Sequence, residues 1–501
     1  MTVFNETITR GAALALLAVT LTGCMVGPDY QRPDTTPMPA GFKELSGWKI
    51  SEPQDMADKG AWWSVYNDPE LDRLEQMVDI SNQTVKSYEA QYRNAVALVA
   101  EARGALFPTI GLGAGVTRSS SGGRGASSGI GGTTGGRGTQ GGGDSGTSYS
   151  ASGTISWDLD VWGRIRRQVE SQEAGAQVSA ADLANARLSA QATLASDYFN
   201  LRAEDALVQL LTETTAAYRR ALQIAENQYR AGISSNADVV TAQAQLQSTE
   251  AVLVGVGVQR QQYEHAIAVL TGHAPAELTI APAALASAVP VMPPGLPSAL
   301  LERRPDIAAA ERQMQEENAL IGVQVAAYYP DISLSALGSF AGSPLSQLFT
   351  VGNRVWSLGA AASQTLFNGG TRPAAVAAAR ATYDQYVANY RQTVLTAFQQ
   401  VEDALSTLRI LEQQAAAEAT AVASAQRALD VTLNAYRAGT VAYTAVITQQ
   451  TLLLADRQTA LSIQQGRLVA SVTLIETLGG GWSAATLSDA GKPHDFSPLM
   501  P

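Results

Sequence analysis

The sequence predicts an α+β membrane protein built by tandem duplication. Each copy carries two membrane-length β-strands and a pair of very long helices, and the four strands belong to a barrel shared between chains. Three observations carry this prediction. The tetrapeptide Tyr-Arg-Ala-Gly stands at Tyr229–Gly232 and again at Tyr436–Gly439, 207 residues apart. Four segments of about ten residues alternate apolar with small polar side chains, the pattern and length of a membrane strand. Two segments of more than about sixty residues contain no internal helix breaker except one glycine, far longer than helices of compact domains.

Bulk properties remove several function classes. The 501 residues are 46% hydrophobic and only 16% charged, with a net charge of −11. The charge content is low for a soluble chain, and the acidic balance leaves no basic patch for a nucleic acid. One cysteine and three scattered histidines (His265, His273, His494) give no ligand spacing, so no metal and no cofactor is expected. No nucleophile–base pair stands in a catalytic context, so the chain is not read as an enzyme. The adjacent acids Glu316 and Glu317 are expected on a solvated helix face.

At the N-terminus, Arg10 precedes an apolar run, residues 11–20, that is too short to span a bilayer. Leu21-Thr22-Gly23-Cys24 follows, so residues 1–23 read as a secretory signal. The ending resembles a bacterial lipobox. That resemblance implies cleavage before Cys24, a diacylglyceryl group on its sulfur and an acyl group on its amine. Met25, where an aspartate would be the retention signal, implies transfer to the outer membrane. Each buried methylene of such an anchor adds ~0.8 kcal/mol. Residues 24–60 form the lipidated N-terminal segment. No later run of about 20 apolar residues exists, so any membrane crossing uses strands.

The first copy spans 61–273. Asp68 is placed to cap a helix whose first residue is Pro69. Ile110, Leu112, Ala114 and Val116 share one face of the first strand. Tyr149, Ala151, Ile155, Trp157, Leu159 and Val161 share one face of the second. Between them, Ser119 to Ser148 is mostly Gly, Ser and Thr and reads as a surface loop, with no phosphate-loop context. A helix is predicted from Arg164 to about Arg230, interrupted only by Gly175, followed by a shorter one over Asn236–Leu270. At 1.5 Å per residue the long helix reaches about 100 Å. Gly232 ends it in the left-handed conformation, Arg230 meets its last carbonyls, and Ser235 or Asn236 caps the return helix.

A proline-rich linker, 274–297, leads to the second copy, 298–482, through a short helix before Arg303-Arg304-Pro305-Asp306-Ile307. Its strands place Ile332, Leu334, Ala336 and Phe340, then Trp356, Leu358, Ala360, Ala362 and Leu366, on apolar faces. Tyr149, Trp157, Phe340 and Trp356 lie toward strand ends, where interfacial aromatics belong. The second long helix covers 374–438. Its seam runs Tyr383, Tyr386, Tyr390, Val394, Phe398, Val401, Leu405, Leu408 at coiled-coil spacing. Arg437 and Gly439 repeat the first tip, and the return helix covers 443–478. Residues 483–501 form a tail. Four strands cannot close a barrel, since the smallest single-chain barrels have eight. Lipid forbids open sheet edges, so the strands require other copies of the chain.

Seven motifs together resemble the outer-membrane efflux lipoproteins of the NodT/OprM type, within the TolC-like outer membrane factor family. They are Met-Val-Gly-Pro-Asp-Tyr-Gln-Arg-Pro after Cys24, "WWSVYNDPELDRL", "DLDVWGRIRR", "PGLPSALLERRPDIAAAER", "TLFNGGTR", "FQQVEDALS" and "LGGGW", spanning Cys24 to Trp482. The resemblance implies a homotrimer whose four strands per chain make a shared twelve-stranded barrel. It also implies a helical tunnel across the periplasm. Such a channel is the passive exit duct of a tripartite efflux system, joined by a periplasmic adaptor to an inner-membrane pump, here expected to be of the RND type. Drugs or other small molecules leave through it without covalent change. The hairpin tips, with Arg230, Gly232, Arg437 and Gly439, are expected to dock the adaptor. Asp238 matches a gate carboxylate of the family. Acids expected in the pore fall at Ala445 and Thr448, and a linking arginine at Val441, so those features are absent here. The gate is therefore read as Asp238, Tyr443, Thr444 and Thr448, closed mainly by packing of Tyr443, Thr444 and Val446 with Asp238 as the polar latch. Alternatives are a duct for a secreted protein or oligosaccharide, and a trimeric coiled-coil surface adhesin, against which the up-and-down hairpins speak.

Overall fold

The computed structural model describes residues 25–33, 41–45, 61–120, 145–290 and 303–489. Cys24, the middle of the glycine-rich stretch and the short helix expected before Arg303 lie outside these residues.

Helix α1 (Pro69–Ser81) begins as its sequence dictates. Pro69 occupies the first turn, and the Asp68 carboxylate accepts from the Glu70 and Leu71 amides at 3.0 and 3.3 Å. Asn82 then caps α2 (Gln83–Gly104) by accepting from the Val85 amide at 3.0 Å. Strands β1 (Thr109–Ser120) and β2 (Ser145–Leu159) follow, then α3 (Arg164–Arg230) and α4 (Asn236–Leu270). The second copy holds α5 (Pro305–Ala326), β3 (Asp331–Gly342), β4 (Arg354–Ser363), α6 (Thr371–Arg437) and α7 (Tyr443–Thr477).

The duplication carries through to the lengths of the elements, with the exception of the second strands, where β2 has 15 residues and β4 has 10. Helices α3 and α6 each have 67 residues, and α4 and α7 each have 35. Helices α2 and α5 have 22 residues and strands β1 and β3 have 12. Gly163 and Gly370, with φ of 81° and 86°, turn the chain from strand into α3 and α6; a side chain at such a φ is strained.

The strands form one antiparallel sheet in the order β1-β2-β3-β4. Directly opposed residues share a side, and the register aligns the apolar ones across all four strands. Val116 faces Tyr149, Ala151 faces Phe340, and Leu334 faces Ala360. That face is open to the surroundings, with Leu112 91% and Leu358 76% exposed. The outer edges of β1 and β4 have no strand partner among the described residues. Each strand continues into a helix: α2 into β1, β2 into α3, α5 into β3 and β4 into α6. The helices stand side by side in the same order, so sheet and helices form one continuous wall.

Several boundaries differ from the sequence prediction. Strands β1 and β2 extend to Ser120 and from Ser145, so both ends of the glycine-rich stretch are ladder, not loop. Val161 lies beyond β2 because the Asp160 carboxylate turns to accept from the Ile165 and Arg166 amides at 2.9 and 2.8 Å, capping α3. Leu366 lies beyond β4, which stops at Ser363. Helix α6 starts at Thr371, before Pro373, because proline fits a helix's first turn. Helix α7 ends at Thr477, one residue before the predicted end.

The cores sit at mid-height. Trp62, Trp63, Leu71, Leu74 and Val78 pack on Tyr198, Phe199, Ile267 and Val472. The predicted seam supplies a second core, in which Tyr390, Val394, Val401, Leu405 and Leu408 meet Met314 and Leu474. The linker is held by charge. Asp205 takes Arg202 and Arg260 at 3.0 and 2.7 Å and accepts from the Ala283 amide, while Arg260 donates to the Ile280 carbonyl. These groups are largely buried, where charged side chains persist only when paired.

Candidate functional site

Both long helices end in the same backbone motif. The Gly232 amide donates to Tyr229 O and the Ile233 amide to Gln228 O, each at 2.9 Å. In the second copy Gly439 donates to Tyr436 O at 2.9 Å and Thr440 to Ala435 O at 3.0 Å. These bonds satisfy the final carbonyls and require a left-handed residue; Gly232 and Gly439 supply φ of 72° and 73°. Arg230 pairs with Glu226 at 3.1 Å and Arg437 reaches Asn434 at 3.4 Å, both exposed at the tips. Ser235 occupies the cap position of α4 but makes no side-chain bond to the helix, and Asn236 is already its first residue. The half-buried Asp238 carries the negative charge of the first turn instead.

Just above the tips the two hairpins close on each other. Ala221 and Ala225 of α3 and Ala242 of α4 leave room for two rings, Tyr436 of α6 and Tyr443 of α7, with Val446 beside them. The ring centroids are 5.2 Å apart at 54°. Tyr443 is 2% exposed. Burial, then Tyr436, Tyr218 and Asp238, push its phenol up to about 12. Burial and Asp238 also raise Tyr436. The side-chain oxygens of Tyr218, Ser234 and Tyr436 are buried without a well-formed hydrogen bond among the described residues. Asp238 therefore faces a cluster of phenols and makes no ion pair among the described residues.

Thr444 does not join this packing; it is exposed, as is Thr448, whose hydroxyl donates to the Thr444 carbonyl at 3.0 Å. A helix buries one stripe, and Tyr443 and Val446 occupy it, which turns Thr444 outward. Tyr218 and Tyr436 were missed by sequence reasoning. Tyr436 stood in plain view as the first letter of the repeated tetrapeptide, but its copy Tyr229 is 48% exposed, so repetition alone gave no signal.

The segment after Cys24 is built into the wall. The Val26 amide donates to Trp162 O at 3.1 Å, at the turn from β2 to α3. Arg167, 1% exposed, donates to the carbonyls of Val26 and Gly27 and to Asp29 and Glu170. Gly27, at φ +99°, lies so close to α5 that an added Cβ would stand 2.5 Å from Gly322 Cα. Further along, Arg32 reaches the Tyr390 hydroxyl at 3.0 Å, and Glu402 accepts from the Lys43 and Glu44 amides at 2.7 and 2.9 Å.

On one side of the wall, α2, α3, α5 and α6 enclose a groove of about 460 Å³ lined by Gln91, Asn94, Gln172, Glu316 and Glu317. The two acids are half-buried there rather than solvated. Burial and then Glu317 raise the Glu316 carboxyl; burial raises Glu317. Among the described residues no group of three metal-binding side chains is assembled, and no helix is long and apolar enough to cross a membrane.

Comparison with known proteins agrees with this architecture. The family model described as outer membrane efflux protein matches residues 74–273 and 296–480. The probable efflux pump outer membrane protein TtgC of Pseudomonas putida is 28% identical over 493 residues, covering 95% of this chain and 96% of its own. The cation efflux system protein CusC of Escherichia coli O157:H7 is 30% identical over 479 residues, covering 93% and 97%. Among solved structures, the outer-membrane channel OprN superposes with a TM-score of 0.82 at 27% identity, covering 92% of this chain and 100% of that one.

Proposed function

The chain belongs to the outer membrane efflux protein family and is an outer-membrane efflux channel, and from that premise we propose that it works as a homotrimeric exit duct. The observation that carries the trimer is the sheet. Among the described residues it has four strands, an exposed apolar face and two unpaired edges, and in lipid an unpaired edge costs several kcal/mol per group. Three copies give twelve strands and no edge. The wall of helices below the sheet then becomes a tunnel through the periplasm.

The tips bearing Arg230, Gly232, Arg437 and Gly439 dock a periplasmic adaptor that links the duct to an inner-membrane pump of the RND type. Relatives are named for antibiotic, toluene and cation efflux, and the cargo proposed here is small molecules of that range. The gate is the contact of Tyr443, Tyr436 and Val446 with α3 and α4, with Asp238 beside it. Cys24 carries the lipid. In support, Met25 and Val26 lie at the base of the sheet, so an acyl chain on the preceding residue starts at the membrane surface.

Native mass spectrometry of protein extracted from outer membranes in detergent tests this reading. The expected species is a trimer of chains beginning at Cys24, each heavier by a diacylglyceryl and an acyl group. A monomer would remove the shared barrel; an unmodified chain retaining residues 1–23 would remove the lipid anchor.

A further inference from the structure

The internal duplication contains a rule for how one chain meets the next. Residues of β1 map onto β3 by adding 222, and residues of β2 onto β4 by adding 207. The two offsets convert the β1–β2 ladder into the β3–β4 ladder without a slip. Thr109–Ser156 becomes Asp331–Ser363, and Val116–Tyr149 becomes Gly338–Trp356, both observed pairs. The register of a junction is thus a property of the repeat.

One junction within the chain joins the first copy to the second, β2 to β3. Its counterpart joins β4 of one chain to β1 of the next. We propose that these two edges pair antiparallel in the register that the β2–β3 ladder dictates, with Ala360 directly opposite Val116 of a second copy of this chain. The proposal rests on the shared-barrel reading above. Gly153–Gly338 maps onto Ala360–Val116, Ile155–Ala336 onto Ala362–Ala114, and Ser156–Ser335 onto Ser363–Gly113.

Two features not used to derive the register agree with it. The first is parity. Moving one strand by a single residue would turn its apolar face inward. The mapped register instead sets Ala360 and Ala362 of β4 beside Val116 and Ala114 of β1, all on the face that carries Leu112 and Leu358. The second is the other face. There, glycine repeatedly stands opposite a small hydroxyl: Gly111–Thr154, Gly113–Ser152, Gly115–Ser150 and Gly359–Ser335. The mapped junction repeats this with Gly359–Thr117 and Gly113–Ser363. It also explains the short β4. Below Ser363 the ladder continues toward Leu366 opposite Ile110, residues 93% and 73% exposed in the single chain. The new edge thereby extends β4 to the length that its alternation predicts.

Cysteine pairs read the register directly. Directly opposed residues have Cα atoms about 4.5–5.5 Å apart, within disulfide reach, whereas diagonal neighbours lie about 7–8 Å apart. Within one chain β1 and β4 are roughly 14 Å apart, three strand spacings, so the link forms only between copies. The full chain carrying Val116→Cys with Ala360→Cys is oxidised in outer membranes and run on a denaturing gel without reductant. Two-residue slips are represented by Ala114→Cys with Ala360→Cys and by Arg118→Cys with Ala360→Cys. The expected result is a covalent trimer as the main band for the first pair and little for the others. Stronger linking of either slipped pair, or no linking in protein that native mass spectrometry shows to be trimeric, overturns the register and leaves the shared barrel standing. A monomeric mass overturns both.

Discussion

Glu75 lies on the core face of α1 with no exposed surface, and neither carboxylate oxygen has a hydrogen-bond partner among the described residues. Burial, and then Asp79 and Asp72, push its pKa up to about 9 from an ordinary 4.5. Between those values the folded chain holds a proton that the unfolded chain has lost, so stability falls as pH rises through this window and levels off above it. Glu75→Gln removes the titration. Its thermal midpoint should exceed that of the parent at about pH 8, and the gap should close near pH 4.5; a gap independent of pH would contradict the assignment. At the proposed gate, Asp238→Ala with Tyr443→Ala removes both the charge and the ring. Entry of large antibiotics normally excluded by the outer membrane should rise. Tyr443→Phe keeps the ring and should stay near the parent, because the contact is chiefly packing. Unchanged permeability in the double variant would remove these residues from the gate.

At the scale of elements, one substitution has opposite signs in two helices. Gly175 stands inside α3, and the nearest atoms a Cβ there would meet belong to the Glu316 carboxylate, at 3.5–3.6 Å, an ordinary contact. Gly175→Ala should therefore gain up to about 1 kcal/mol of helix propensity. Gly439 has open space around it but φ of +73°. Gly439→Ala should cost about 1–2 kcal/mol through backbone strain and should loosen the last turn of α6. Hydrogen exchange of the amides around Tyr436 reads the second effect, and thermal unfolding reads the first. Equal behaviour of the two variants would mean that the tip motif is not what ends α6. Much of this level was legible beforehand. Asp68, Pro69 and the repeated glycines act through their own backbone neighbourhood, so their sequence context suffices. Ser235 does stand at the predicted cap position, but its side chain makes no bond to the helix, a detail of side-chain orientation that local sequence does not fix.

For the whole molecule, the continuous wall of strands and helices fixes what the protein can do. A structure whose strands each feed a helix in the same lateral order encloses a passage when copies close the ring. That passage has use only when something loads it from below. Deleting the adaptor and the pump should therefore abolish the chain's contribution to drug tolerance in whole cells. An adhesin would keep its activity without them, and that result would move the chain to a different class of function.

The duplication, the strand faces, the long helices and the glycine tips were determined by the sequence alone, because each is a local or periodic property: which residues alternate, which recur, and where a left-handed turn is needed. The structure alone decided which of two equivalent tyrosines is buried. Tyr436 meets Tyr443 in the gap left by alanines more than 190 residues away, whereas Tyr229 meets solvent. It likewise decided that Arg167 holds the segment after Cys24, that Glu75 is enclosed without a hydrogen-bond partner among the described residues, and that β2 stops where Asp160 turns to cap a helix. Each outcome depends on which distant segments meet, and that is set by packing of the whole wall rather than by any run of residues within it.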